Sequence, residues 1–161
     1  MSTTTTAFKL WQTLGSSALG RWLYSNIICF KAPYFSTISP RILELEPGKC
    51  VATIKHKRKV TNHLGSIHAI ALCNLAELVG GLMTDVSIPP EMRWIPKGMT
   101  VNYLQKAKGK LTAIAHTNPA DFRIADEGYP YQVNVEVRNA QDELVFTAII
   151  EMWISPKQRK V

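Results

Sequence analysis

Two ionisable side chains, His68 and Glu77, stand inside the most continuously apolar stretch of the chain, TNHLGSIHAIALCNLAELVGGLM over residues 61–83. A carboxylate in such a setting can act as a general base on water or as a nucleophile toward an acyl carbon. Burying it costs free energy unless it is partnered or protonated, which makes a bystander role expensive. Just upstream, Asn62-His63-Leu64-Gly65-Ser66 is a polar, turn-forming run. Ser66 has the side chain of a helix N-cap, whose hydroxyl oxygen accepts from first-turn amides. A helix that starts there presents free amides, that of Ala69 among them, and the positive end of its dipole. Such donors stabilise an oxyanion. A carboxylate and an anion-binding helix start are therefore the two kinds of group that this stretch offers to chemistry.

The element that positions them reads as a helix over residues 66–83. It holds Ala, Leu, Ile and Met without proline, with Gly80-Gly81 near its end. Its apolar side chains cover nearly the whole circumference, as in a buried helix, so Glu77 is expected to be buried. From His68 to Glu77 an ideal helix rises about 13–14 Å and turns about 180°. The two side chains then point to opposite sides and cannot serve one atom within one chain. If both serve one site, the helix start comes from one subunit and Glu77 from another, side by side in a two-fold dimer. Asn74 shares the face of Glu77 and is placed to hold its carboxylate. The alternative for Glu77 is a carboxylate paired with a lysine or arginine at the seam. For His68 it is a structural histidine near a helix start.

The rest of the chain supplies the surroundings. It has 161 residues, 46% of them hydrophobic, enough for one domain with a real core. The net charge of +7 favours anionic partners such as phosphate-bearing cofactors, acidic lipid or nucleic acid. No nucleic-acid-reading motif accompanies it, so no nucleic-acid partner is expected. Cys29, Cys50 and Cys73 are isolated, as in a reduced cytoplasmic protein. His56, His63 and His116 lack metal-ligand spacing, and neither a metal nor another cofactor is expected. Residues 1–6 read as a disordered lead. Residues 8–31 have helical periodicity interrupted by Gly15 and Gly20. They read as a helix packed on the domain or, with Trp11, Trp22 and Tyr24 beside basic residues, as a membrane-surface helix. A hairpin follows around Pro47-Gly48, then the basic run Lys55-His56-Lys57-Arg58-Lys59. After the central helix come four strands: residues 92–104, broken at Pro96 and Gly98, then 111–116, 131–138 and 144–154. The order is helix, two strands, buried helix, four strands, which suits an α+β fold with a long antiparallel sheet around one helix.

The run Asn62-x-x-Gly65-x-x-His68, with Glu77 nine positions after the histidine, resembles a motif of the hotdog-fold acyl-CoA thioesterases. The similarity is to the 4-hydroxybenzoyl-CoA and phenylacetate-degradation type. Val101-x-Tyr103-Leu104 followed by Ala107, Gly109 and Leu111 is similar to a later run of that family. So is the final strand pair around Asn139-Ala140-Gln141-Asp142. The resemblance spans about residues 33–155 by its strand pattern. It divides the chain into an N-terminal extension, 1–32, a hotdog domain, 33–155, and a basic tail, 156–161. The extension resembles that of an uncharacterised branch of the superfamily. The resemblance implies a homodimer, with a tetramer of two dimers left open. It implies acyl-CoA as substrate, Glu77 as base or nucleophile, and the Ala69 amide as oxyanion donor. Asn62, Gly65 and His68 would complete that half-site.

Relatives carry glycine directly after the histidine, where this chain has Ala69-Ile70. Alanine keeps the amide but loses the clearance that glycine gives. Coenzyme A would bring phosphates, and Lys106, Lys108 and Lys110 alternate along an expected strand and turn, on one face. Lys57 to Lys59 and the tail at residues 157–160 are further candidates. Two other functions remain open. One is a non-catalytic acyl-chain or acyl-CoA binder, membrane-associated through residues 8–31. The other, ranked last, is a dehydratase or hydratase acting on 3-hydroxyacyl thioesters, whose proline-glycine-rich motif around a catalytic histidine is not seen.

Overall fold

The computed structural model describes residues 5–157, so the expected disordered lead and basic tail lie largely outside the described residues. Two helices open it, α1 (Thr6–Leu14) and α2 (Ala18–Lys31). The single expected helix over 8–31 is thus two. Thr5 and Ser17 each cap one, their hydroxyls accepting from Phe8 N at 3.3 Å and Gly20 N at 3.0 Å. The chain reverses at Gly15-Ser16-Ser17, and α1 packs on α2 through an edge-to-face contact of Trp11 with Tyr24, centroids 5.0 Å apart.

A short 3₁₀ turn at Pro33–Thr37 leads to strands β1 (Arg41–Glu46) and β2 (Lys49–Ile54), joined at Pro47-Gly48. Helix α3 (Ala69–Ser87) follows, then β3 (Met92–Tyr103), β4 (Leu111–His116), β5 (Tyr129–Arg138) and β6 (Leu144–Pro156). The strands form one antiparallel sheet in the order β1-β2-β4-β5-β6-β3. Strand β3 is unbroken over 12 residues; Pro96 and Gly98 mark a bulge in its pairing with β6, which is how an antiparallel ladder accommodates proline. Helix α2 closes the β1 edge, where Ser25 Oγ accepts from the Ile42 amide at 2.9 Å. The N-terminal extension is therefore bonded into the domain.

The sheet curves around α3, which contributes Leu72, Leu75, Leu78, Val79 and Met83 to the core. By length and hydropathy α3 could cross a membrane, but here the sheet takes the place of lipid. The Gly80-Gly81 pair lies well inside the helix, which continues to Ser87. A Cβ on Gly80 would come within 2.7 Å of Ile150 Cδ1, and one on Gly81 within 2.8 Å of the Trp94 ring. These glycines set how closely the helix approaches the sheet, and that gain in packing outweighs their low helix propensity.

Gly80→Val should overpack this contact and lower stability by about 1–3 kcal/mol, read as an earlier urea midpoint. A variant as stable as the parent would contradict the close-approach role.

Candidate active site

The loop ahead of α3 is built by Asn62. Its Oδ1 accepts from the amides of Leu64 (3.0 Å) and Ser66 (3.1 Å), and its Nδ2 donates to Ser66 Oγ at 2.9 Å. Gly65 has φ +70, and nothing lies within 4 Å of a Cβ placed on it, so conformation rather than clearance requires glycine there. Asn62 and Gly65 thus shape the loop, and the amide and carbonyl groups of Asn62 are already engaged within it.

Ser66 is not the cap. It is buried against Asn62, and His68 holds the N-cap position with φ -62 and ψ 139. Its Nδ1 accepts from the Ile70 amide at 3.1 Å. This places the ring proton on Nε2, leaving one donor free. The backbone of His68 is extended, so the helical arithmetic that sent it opposite Glu77 does not govern its direction. The preceding chain is tied down by Ile67 N to Ala107 O and His68 N to Val60 O, both 2.8 Å. The Ala69 amide, first of the helix, donates to nothing among the described residues. It combines a free N–H with the positive end of the dipole of α3.

Glu77 is exposed on the single chain, contrary to the expected burial. The sheet leaves one strip of α3 uncovered. Ile70 (54% exposed), half-buried Cys73 and Glu77 lie along it at helical spacing. On one side Cys73 Sγ meets the Tyr103 hydroxyl of β3 at 3.3 Å. That bond, followed by burial, pushes the Tyr103 phenol up to about 12. On the other side Asn74 is only 5% exposed and turns away from Glu77. Its Nδ2 donates to Thr37 Oγ1 at 3.1 Å and Tyr34 O at 3.4 Å, while its Oδ1 is buried without a partner. The expected hold on the Glu77 carboxylate is therefore replaced by a tie to the Pro33–Thr37 turn. The cause is angular: Asn74 falls on the side of the helix that the turn covers.

A cavity of about 320 Å³ opens at the start of α3, between that turn and the Asn62 loop. Tyr34, Lys59, His68, Ile70 and Asn74 are among its walls. Lys59 bridges its rim, with Nζ donating to Ser39 Oγ at 2.6 Å and Ser36 O at 3.1 Å. Axial rise still separates Ala69 from Glu77 by about 12 Å, beyond one reacting carbonyl. Lys106, Lys108 and Lys110 are exposed; of the expected strand and turn, the strand part is instead a loop that runs up to β4. That loop is held by the Ala107 carbonyl and by Gly109 N donating to His56 Nδ1 at 3.2 Å. Among the described residues no group of His, Cys, Asp and Glu side chains could hold a metal ion.

Sequence reasoning named Tyr103 only as part of a strand run and Lys59 only as a phosphate candidate, and it did not foresee the Pro33–Thr37 turn beside Asn74. The three- and four-residue spacing of Ile70, Cys73 and Glu77 was the available signal for the open strip, and the apolar neighbours masked it.

A six-stranded antiparallel sheet wrapped around one long helix is the hotdog fold. The chain belongs to the family described as a domain of unknown function, DUF4442, whose model matches residues 20–154. No protein of curated function matches it. Among solved structures, one designated APC5556 is 40% identical, with 94% of this chain and 98% of that chain covered and a TM-score of 0.81. A Pseudomonas aeruginosa protein of unknown function, PA5026, described as a probable thioesterase, is 24% identical over 84% of this chain and 95% of its own, TM-score 0.76. The Staphylococcus aureus thioesterase enzyme SAV0944, solved as a mutant, is 21% identical over 77% of this chain and 99% of its own, TM-score 0.65.

The Tyr103 phenol should ionise near pH 12 in an ultraviolet absorbance titration, assigned by loss of that step in Tyr103→Phe. Cys73→Ala removes the largest cause and should bring the midpoint down toward the ordinary tyrosine value of about 10. An unchanged midpoint would rule out the bond to Cys73 as the cause.

Proposed function

We propose that the protein is a thioesterase that hydrolyses acyl-CoA, or a related acyl thioester, at a site shared between two protomers. The observation that carries this reading is the free Ala69 amide at the start of α3 together with Glu77 on the open strip of the same helix. The two are complementary in chemistry and too far apart to act together in one chain. Two copies of α3 side by side would bring the amide of one to the carboxylate of the other. Strand β3, a long edge strand paired only with β6 among the described residues, offers a second copy a row of backbone groups on either side of its bulge at Pro96 and Gly98. The descriptions of PA5026 as a probable thioesterase and of SAV0944 as a thioesterase agree with the reaction type.

In this mechanism the thioester carbonyl oxygen accepts from the Ala69 amide. Glu77 of the other protomer either takes a proton from water as the water oxygen attacks the carbonyl carbon, or attacks that carbon itself. Negative charge collects on the carbonyl oxygen, where the amide and helix dipole stabilise it. The carbon–sulfur bond then breaks and the thiolate leaves, recovering a proton as free thiol. In the second route water hydrolyses the acyl–Glu77 anhydride afterwards. His68 contributes its cap, which fixes the Ile70 amide, and its free Nε2–H. Asn62 and Gly65 hold the loop on which this end of the helix rests. Lys106, Lys108 and Lys110 stand on an exposed loop joined to that end through Ala107 and are candidates for the phosphates of coenzyme A. Ile70 stands where relatives have glycine and narrows the approach to the amide.

Free-thiol release from a panel of acyl-CoA substrates tests the reaction. Glu77→Gln should lower kcat by about 10²–10⁴-fold. Ala69→Pro removes the amide at a helical position that tolerates proline, after a residue already extended, and should lower kcat by about 10²–10³-fold. Mixing the two inactive variants discriminates further. Shared sites should restore about one quarter of wild-type activity, because half the dimers are mixed and each has one intact site. No recovery in confirmed mixed dimers would sink the shared site. Saturable acyl-CoA binding without hydrolysis would make the protein a binder.

A further inference from the structure

Helix α2 has two apolar faces, and the fold uses one. Gly20, Tyr24 and Ser25 are buried against α1 and β1. On the opposite side Leu19, Trp22, Leu23 and Phe30, with Asn26 among them, fall within an arc of about 100° on an ideal helix. Leu19 is 74% exposed, Phe30 86% and Trp22 48%. A contiguous apolar stripe of this kind is uncommon on a surface without a partner. A cleft of about 500 Å³ runs along its flank, between α2 and the outer face of the sheet. Trp22 and Asn26 wall one side, and Arg41, Lys55, Lys57 and Lys110 contribute four cations to the other. No acidic residue lines it, and among the described residues none of the four cations has an ion-pair partner. Register explains the clustering. Arg41 opposes Thr53, and Thr53 opposes Thr112; Lys55 directly follows β2 and Lys110 directly precedes β4, so both stand where that β2–β4 ladder ends at Ile54 and Leu111.

We propose that α2 docks on an anionic phospholipid bilayer. The stripe enters the headgroup boundary, and the cation cleft takes lipid phosphates. Cations alone would suit any phosphate, but a soluble anion gives Leu19 and Phe30 nothing to contact. Leucine, tryptophan and phenylalanine on one helical face with lysines beside them is the pattern of a helix lying in a membrane interface. The net charge of +7 draws the whole molecule to such a surface. Apart from Lys110, which both readings use, the proposal is independent of the hydrolytic reading and holds for an enzyme or a binder alike.

The test is co-sedimentation of the full chain with vesicles of phosphatidylcholine alone and of phosphatidylcholine with phosphatidylglycerol. Binding is expected on the mixed vesicles, weakening as salt is added. Leu19→Ser and Phe30→Ser should each reduce partitioning about ten-fold or more, from the lost apolar burial. Lys55→Gln and Lys57→Gln should each reduce it about five-fold. All four side chains are exposed, and circular dichroism checks that the variants stay folded. Absence of binding to mixed vesicles overturns the proposal. So does wild-type partitioning by the two serine variants, with inorganic phosphate competing, which would leave only a soluble-phosphate cleft. Light scattering that shows Phe30→Ser splitting a larger assembly would assign the stripe to a protein interface and overturn it too.

Discussion

The structure depends on how one helix that is apolar nearly all round is covered by a sheet that reaches only part of it. Contact between α3 and the sheet is close because Gly80 and Gly81 present no side chain to Ile150 and Trp94. That contact fixes the height of the helix over the strands and hence where its first turn ends. It also decides which residues stay uncovered. Between β3 and the Pro33–Thr37 turn runs the strip of Ile70, Cys73 and Glu77. A carboxylate there escapes the desolvation that full burial would impose. It also stands on a face of α3 that a second molecule can reach.

Order at the other end of the strip comes from local hydrogen bonding. Asn62 folds its loop, Gly65 supplies the left-handed turn, and His68 spends one ring nitrogen on the Ile70 amide. The outcome is a first helical amide with no partner among the described residues, in a chain held by backbone bonds to the Val60 and Ala107 carbonyls. Positioning of this kind lets a weak donor act on developing charge, because nothing must reorganise when the charge appears. The extension at the N-terminus takes part as well. Through Ser25 it closes one edge of the sheet, and the 3₁₀ turn that follows it walls the cavity beside His68.

The sequence carried much of this in readable form. Strict alternation of Val133, Val135 and Val137 marks β5, and the long apolar run marks α3 as the core helix. The resemblance carried by Asn62, Gly65, His68 and Glu77 implied the hotdog fold. Finer placement was hidden where two rules competed. Ser66 and His68 can both cap a helix, and Ser66 was drawn instead into the Asn62 loop. Lys106, Lys108 and Lys110 alternate as in a strand, but the chain there follows the Ala107 carbonyl into a loop.

By itself the sequence determined the elements, their order and the residues around which a site could form, because periodicity and capping act over a few positions. Tertiary structure decided exposure and partnership. Glu77 is open because the sheet stops short of one side of α3, Asn74 is engaged because the Pro33–Thr37 turn folds over it, and the outer face of α2 is apolar and uncovered. Such outcomes depend on which distant segments meet a given face, and no local pattern encodes that.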